Sequence, residues 1–309
     1  MNPSWNVAKK ELYIAVRTKR FLIVMAIYFL LFGFIAYSTK SELMDMGSAR
    51  VGSVGLWDMW AVRGDVYYTP FTLMFLLNMS LLTIVGAVLG VSLGADAINR
   101  EVEEGTAKVL FGHPIYRDEV INGKFLGFAV LVLSTSFLTF LLTVGLILLL
   151  GLPLTMDSFI RGLLGMLVTA LYTLVYLSFG LFLSTLFKKP ENSLIVGLLL
   201  AIFVPIFYNL IAGAIVDKIV GPEPYWDSPA YNTWEESRNA WILRFNMLNP
   251  THHYVQLVVY IFGGDEFTNY YTPLGDALSY GFNNLALLLV MLLLPFAFSY
   301  VRFLTRDLN

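Results

Sequence analysis

The side chains able to do chemistry are few here, and the arrangements that usually carry catalysis are missing. His252 and His253 are adjacent, so they cannot present two ligands from one helix face as an i,i+3 or i,i+4 pair would. They read as part of an interfacial turn, and no metal site is expected. Gly123-Lys124 is followed by Phe125, which leaves no hydroxyl to hold magnesium in a phosphate-cradling loop. Neither H-E-x-x-H nor G-x-S-x-G occurs. With no cysteine, thiolate zinc sites, iron–sulfur clusters, disulfides and a Cys nucleophile are excluded together. No catalytic residue is assigned, and the chain is expected not to be an enzyme.

The main concentration of charge runs from Asp96 to Lys124, and its chemistry is that of docking. Gly105 suits the position just past an acidic helix carrying Glu101, Glu103 and Glu104. Thr106 can then cap a short helix with Val109, Leu110 and Phe111 on it, which stops at Gly112-His113-Pro114. Arg117-Asp118-Glu119 opens the next helix, with two carboxylates at its positive end. An apolar knob flanked by charges fits a groove on a soluble partner. An ordinary solvated connector is the competing reading.

These residues must be positioned by a membrane bundle. At 57% hydrophobic, 14% charged and a mean hydropathy of +0.69 the chain is too apolar for a water-soluble globule. Six runs carry no charge: 21–38, 71–95, 125–150, 162–187, 194–216 and 284–301. Each can cross a hydrocarbon core of about 30 Å. All are expected to be helices, since a spanning segment must satisfy its own backbone hydrogen bonds and none alternates like a barrel strand. The prediction is an all-α integral membrane fold of six spans in one domain, 1–309. An even number of spans puts both termini on one side. Placing them in the cytoplasm puts 13 Lys and Arg inside and seven outside, which the positive-inside rule favours. The net charge of −2 gives no support for a nucleic-acid partner.

Three elaborations decorate this bundle. Within 1–20, Trp5, Ala8, Leu12 and Ala15 recur at helical spacing with Lys9, Lys10 and Arg17 off that face, as for a helix lying in the membrane interface. No small-x-small cleavage site follows the first apolar run, so that run is expected to be retained. The second elaboration is the 96–124 loop. The third is the outer stretch 217–283, too long for a structureless loop. Turn signals fill its first half (Gly221-Pro222-Glu223-Pro224, Ser228-Pro229), and two short helices are expected on either side of Asn249-Pro250, the second re-entering or lying along the interface. Trp226, Trp234 and Trp241 make it rich in aromatics.

Within the spans there is no Asp, Glu, Lys, Arg or His, which counts against proton-coupled transport and intramembrane proteolysis. The Ser and Thr residues at depth read as bonding back to their own helix. Asn78 and Asn209 need partners in hydrocarbon and, with Thr83, are the candidates for a polar path. Gly86, Gly90 and Gly94 space two small-x-x-x-small steps that let another helix approach closely, in the same chain or in a second copy.

The string Glu101-x-Glu103-x-Gly105-Thr106-x-x-x-Leu110-x-x-x-Pro114-Ile115-x-Arg117-x-x-Val120-x-x-Gly123-Lys124 resembles the signature of type-2 ABC transporter permeases, membrane subunits that pair with separate ATPases. The N-terminal Trp5-Asn6-x-Ala8-x-Lys10-Glu11-Leu12, similar to permeases of the nitrous-oxide-reductase maturation type, the six-span plan and Asn249-Pro250-x-x-x-Tyr254-Val255 resemble the same family. The resemblance implies an exporter subunit of the plasma membrane in which residues 106–113 form a coupling helix on the ATPase. Glu101, Glu103 and Glu104 would lie at or just above that contact. It implies a dimer, with spans one, two and five bordering the route. ATP and magnesium would be held by the ATPase and no cofactor by this chain. The expected partners are ABC ATPase subunits, a second permease copy, membrane lipid and an extracellular protein that the longer outer segment could dock. Two other functions compete: an ATP-linked mechanical or signalling transducer acting on that external protein, and a stand-alone secondary carrier.

Overall fold

A computed structural model describes residues 3–17, positions 22, 26, 29, 30, 33, 34 and 37, and residues 70–103, 105, 116–149, 154–264 and 271–305. Among the described residues all regular structure is helical. The elements are α1 (Pro3–Arg17), α2 (Pro70–Gly94), α3 (Asn99–Glu103), α4 (Arg117–Leu149), α5 (Met156–Leu186), α6 (Pro190–Val220), α7 (Pro229–Asn246), α8 (Pro250–Phe262) and α9 (Leu274–Thr305). Among the described residues five helices are long and apolar enough to cross a membrane, and they overlap the second to sixth of the uncharged runs. The first run, 21–38, falls largely outside the described residues.

The local punctuation follows the sequence. Gly105 takes φ +72° and returns its N–H to Val102 O, ending α3 where a glycine was expected. α4 starts at Arg117, and the Glu119 carboxylate reaches back to the Tyr116 N–H at 3.0 Å. Gly221 (φ +90°) closes α6 after the Asp217 carbonyl has taken its N–H, and Pro229 opens α7. Asn249 caps α8, its side chain accepting from the Thr251 N–H at 3.0 Å.

α5 is the centre of the bundle and packs on α2, α4, α6, α8 and α9. The close approach of α2 rests on glycine. A Cβ on Gly94 would lie 2.5 Å from Leu177 O, and one on Gly90 would be driven into the α5 backbone. Gly180 answers from α5, where a Cβ would meet Val91 O at 3.0 Å. The small-residue stripe therefore serves packing within one chain. Thr139 and Thr143 bond to the carbonyls four residues earlier, as expected of hydroxyls at depth. Pro295 interrupts α9, and Ser178 of α5 donates to Leu292 O at 2.7 Å in the turn before it.

α7 and α8 form a hairpin. α7 runs back along α6: Trp234 Nε1 donates to Gly221 O at 3.1 Å, Arg238 pairs with Asp217 at 2.7 Å, and Tyr208 donates to Phe245 O at 2.6 Å. α8 then runs antiparallel to α5, with Thr251 on Tyr172, Tyr254 on Thr169 and the Ile261 carbonyl on Arg161. Tyr172 lies about 24 Å from the start of α5 at about 1.5 Å per residue, so the hairpin tip at Asn249 is deep in the bundle.

Two features were not visible in the sequence patterns. The stripe that α1 buries is Val7, Ala8, Glu11 and Ala15, laid on α4 where Gly123 and Gly127 leave room; Leu12 is half-buried and Trp5 is exposed. The apolar stripe expected from Trp5 therefore does not coincide with the protein-facing one, because α4 selects small side chains at the contact. Second, the helices overrun the uncharged runs, which brings Lys124 and Arg161 into the bundle at its two ends, 2% and 0% exposed.

Candidate functional site

The 96–124 segment is anchored at the end of the bundle where α2 stops and α4 starts. Glu101 of α3, Lys10 and Glu11 of α1 and Lys124 of α4 form one charge cluster. Lys124 Nζ is 2.8 Å from Glu11 Oε1 and 2.9 Å from Glu101 Oε1, and Lys10 Nζ is 2.8 Å from Glu101 Oε1. The Lys124 side chain is buried because Gly123 and Gly127 let α1 lie directly on α4; a Cβ on Gly123 would meet Ser4 O at 2.5 Å. Burial alone would raise the Glu101 carboxyl, but Lys124 and Lys10 outweigh it and hold the group below 4.5. The carboxylate is the charged partner the two lysines require.

Of the docking residues predicted from sequence, the structure places four. Glu101 is turned into the cluster, Glu103 is exposed at the end of α3, and Gly105 is exposed just beyond it. Arg117 donates from Nη1 to Leu304 O at 3.3 Å, tying the exit of the loop to the end of α9. Glu104, Thr106, Val109, Leu110, Phe111, His113 and Pro114 lie outside the described residues. Arg100 pairs with Asp96 across one turn.

Of the residues proposed to line a path, Thr83 and Asn209 have described side chains. Asn209 is exposed on α6, and its Oδ1 accepts from Asn249 Nδ2 at 3.0 Å at the hairpin tip. Thr83 is buried in α2, and Asn78 lies on the same helix with its side chain outside the described residues. In the outer segment Trp226 is 81% exposed, Trp234 is held on Gly221 O with Arg238 over its ring, and Trp241 has Arg244 4.7 Å above it. Asn249 and Pro250 are buried.

The histidines separate. His253 has Nδ1 2.8 Å from Asn284 Oδ1 and Nε2 3.3 Å from Met247 O. The imidazole rings of His252 and His253 lie 5.4 Å apart, edge to face. Among the described residues no three His, Asp or Glu come together.

Sequence reasoning missed Lys10, Glu11 and Arg161. Arg161 donates to Asp157 (2.6 Å), Ile261 O (2.5 Å) and Thr272 O (2.7 Å), fastening the end of α8 and the segment after it to α5. Two signals were present. Glu11 is a carboxylate on the stripe Val7, Ala8, Ala15, and Asp157 and Arg161 have the i,i+4 spacing of a helical ion pair.

The model of the family described as "ABC-2 family transporter protein" matches residues 5–308, nearly the whole chain. The protein belongs to the ABC-2 transporter family. A relative, named "Probable ABC transporter permease protein NosY", from Stutzerimonas stutzeri, is 30% identical over 127 residues, 41% of this chain and 39% of that protein. The chain thus matches about two-fifths of that relative's length. Family membership and the long apolar helices among the described residues make this ABC-2 chain a multi-pass membrane protein.

Proposed function

We propose that this chain is the membrane subunit of an ABC exporter, working as a homodimer with two ATPase chains. The observation that carries the reading is the bracing of the 96–124 segment on three sides within a chain of this family. α1, α3 and α4 are joined through Lys124, and Arg117 adds α9. A loop that receives force from a partner needs such bracing, whereas a solvated connector does not. In this reading residues 106–113 are the coupling helix on the ATPase. ATP and magnesium are held by the ATPase, and this chain holds no cofactor. Residues 21–38 supply the sixth span, both termini are cytoplasmic, and the α7–α8 hairpin enters the plasma membrane from outside. ATPase closure would tilt the bundle and switch access from one side to the other.

The test is purification from the native host in mild detergent. An ATPase at about one per permease chain is expected, and Leu110→Asp or Phe111→Asp should abolish its association while membrane insertion persists. Retained association in both variants would reject the assigned contact, and a single-component species without ATPase would reject the exporter.

One observation favours a second reading, transduction to an external partner. Tyr225 and Trp226 are 85% and 81% exposed on the turn between α6 and α7. The double variant Tyr225→Ser, Trp226→Ser should lose such a partner while ATP hydrolysis continues. An unchanged set of co-purifying external proteins would dismiss that reading.

A further inference from the structure

The most completely buried polar groups near the loop include three that are uncharged. α2 stops at Gly94, residues 95–98 turn, and α3 restarts at Asn99. Such a break strips backbone groups of their helical partners, and here two other helices supply replacements. Ser184 Oγ of α5 receives the N–H groups of Ile98 (2.8 Å) and Asn99 (3.1 Å) and donates its own proton to Asn99 Oδ1 (3.2 Å). Asn99 Nδ2 donates to Ser193 Oγ of α6 (2.7 Å), which in turn faces the carbonyls of Ala95 (2.5 Å) and Pro190 (2.9 Å). Asn99, Ser184 and Ser193 are each 0% exposed. Every donor and acceptor of the Ser184 hydroxyl is used, and removing a member of the set leaves buried polar groups unmet.

The break is therefore a clamped joint. α6 has few other buried side chains: after Pro190 and Ser193 come only Gly197, Ala201, Ala212 and Val216. Its inner end is located by Ser193 on the α2–α3 turn and by Gly197, where a Cβ would be driven into the Val91 side chain. Thr185, next to Ser184, has its carbonyl bonded by Arg302 of α9 at 3.1 Å. We infer that Asn99 is a positioning residue that passes movement of α3 to α6 through Ser193, so that α3 and the start of α6 move as one block. The inference rests on the exporter reading for the source of the movement; the joint itself does not depend on it.

The absence of cysteine makes spin labelling direct. In the permease–ATPase complex, labels at the exposed Glu103 and Glu191 read the joint by electron–electron distance measurement. Labels at Glu103 and Tyr225, at opposite ends of the bundle, read the nucleotide-driven movement. In the otherwise unmodified chain the 103–191 distance should hold within about 2 Å between nucleotide-free and ATP-bound states, the scale of ordinary helix shifts, while the 103–225 distance changes by more. Ser193→Ala removes one hydroxyl and leaves the Ser184 arm, so the fold is kept. It should broaden the 103–191 distribution even without nucleotide and uncouple it from the 103–225 change. A 103–191 distance that shifts with nucleotide as much as the other pair, or a Ser193→Ala distribution identical to the parent, overturns the joint. If neither pair responds to nucleotide, the exporter reading fails, and the nucleotide-free comparison of Ser193→Ala still decides the joint.

Discussion

Lys124→Met keeps the length and apolar stem of the side chain and removes the cation that lies 2.8 Å from Glu11 and 2.9 Å from Glu101. Two carboxylates that are 9% and 17% exposed then share a site in which Lys10, 41% exposed, is the remaining cation paired with them among the described residues. Breaking a buried ion pair from one side costs about 3–5 kcal/mol. Lys10 remains on Glu101 and water reaches it there, so the lower end, about 3 kcal/mol, is expected. Equilibrium unfolding in mixed micelles measures this, and protease nicking of α1 reports whether the N-terminal helix has lifted from α4. The triple variant Glu11→Gln, Glu101→Gln, Lys124→Met should recover most of the loss, because replacing a whole buried ion network with neutral groups is close to neutral. A single variant within about 0.5 kcal/mol of the parent, the range of ordinary surface changes, would refute the reasoning. So would a triple variant no more stable than the single.

Acid should act on the same cluster. The Glu101 carboxyl is held below 4.5 in the folded chain, so the stability it contributes is present above its unfolded value and lost as pH falls through the folded one. Docking of α1 should weaken below about pH 4.5, and Glu101→Gln should flatten that dependence in a pH series of unfolding curves. Gly90→Val drives a branched side chain into the α5 backbone and should destabilise by about 1–3 kcal/mol or prevent insertion altogether. Gly145→Ala, with nothing within 4 Å of the new Cβ, should be tolerated, and comparing detergent-extracted yields of the two checks the packing. Arg161→Met removes bonds to Asp157, Ile261 O and Thr272 O; limited proteolysis should open the chain between α8 and α9 while the rest of the bundle stays protected. Asn209→Leu should cost about 1–3 kcal/mol in the same micelle assay by leaving the buried Asn249 amide unpaired.

The sequence alone determined what one-dimensional patterns encode. Uncharged runs of spanning length require helices, because hydrocarbon offers no hydrogen bonds to an open backbone. Gly105, Gly221, Pro229 and Asn249 placed helix ends, because φ and capping chemistry are local. The charge-poor interior and the missing catalytic signatures pointed away from enzymes, and the ordered residues from Glu101 to Lys124 pointed to the family. Contacts between residues far apart in the chain were another matter. Nothing in Lys10, Glu11, Glu101 and Lys124 as letters says that they converge, since their distance depends on α1 crossing α4 at Gly123 and Gly127. Asn99, Ser184 and Ser193 look like ordinary polar residues until the packing of α2, α5 and α6 leaves a helix break for them to satisfy. That Asn209 meets Asn249 is visible only once α7 folds back along α6. Helix formation is fixed by near neighbours and by the solvent, whereas the identity of each buried polar partner is fixed by which helices pack.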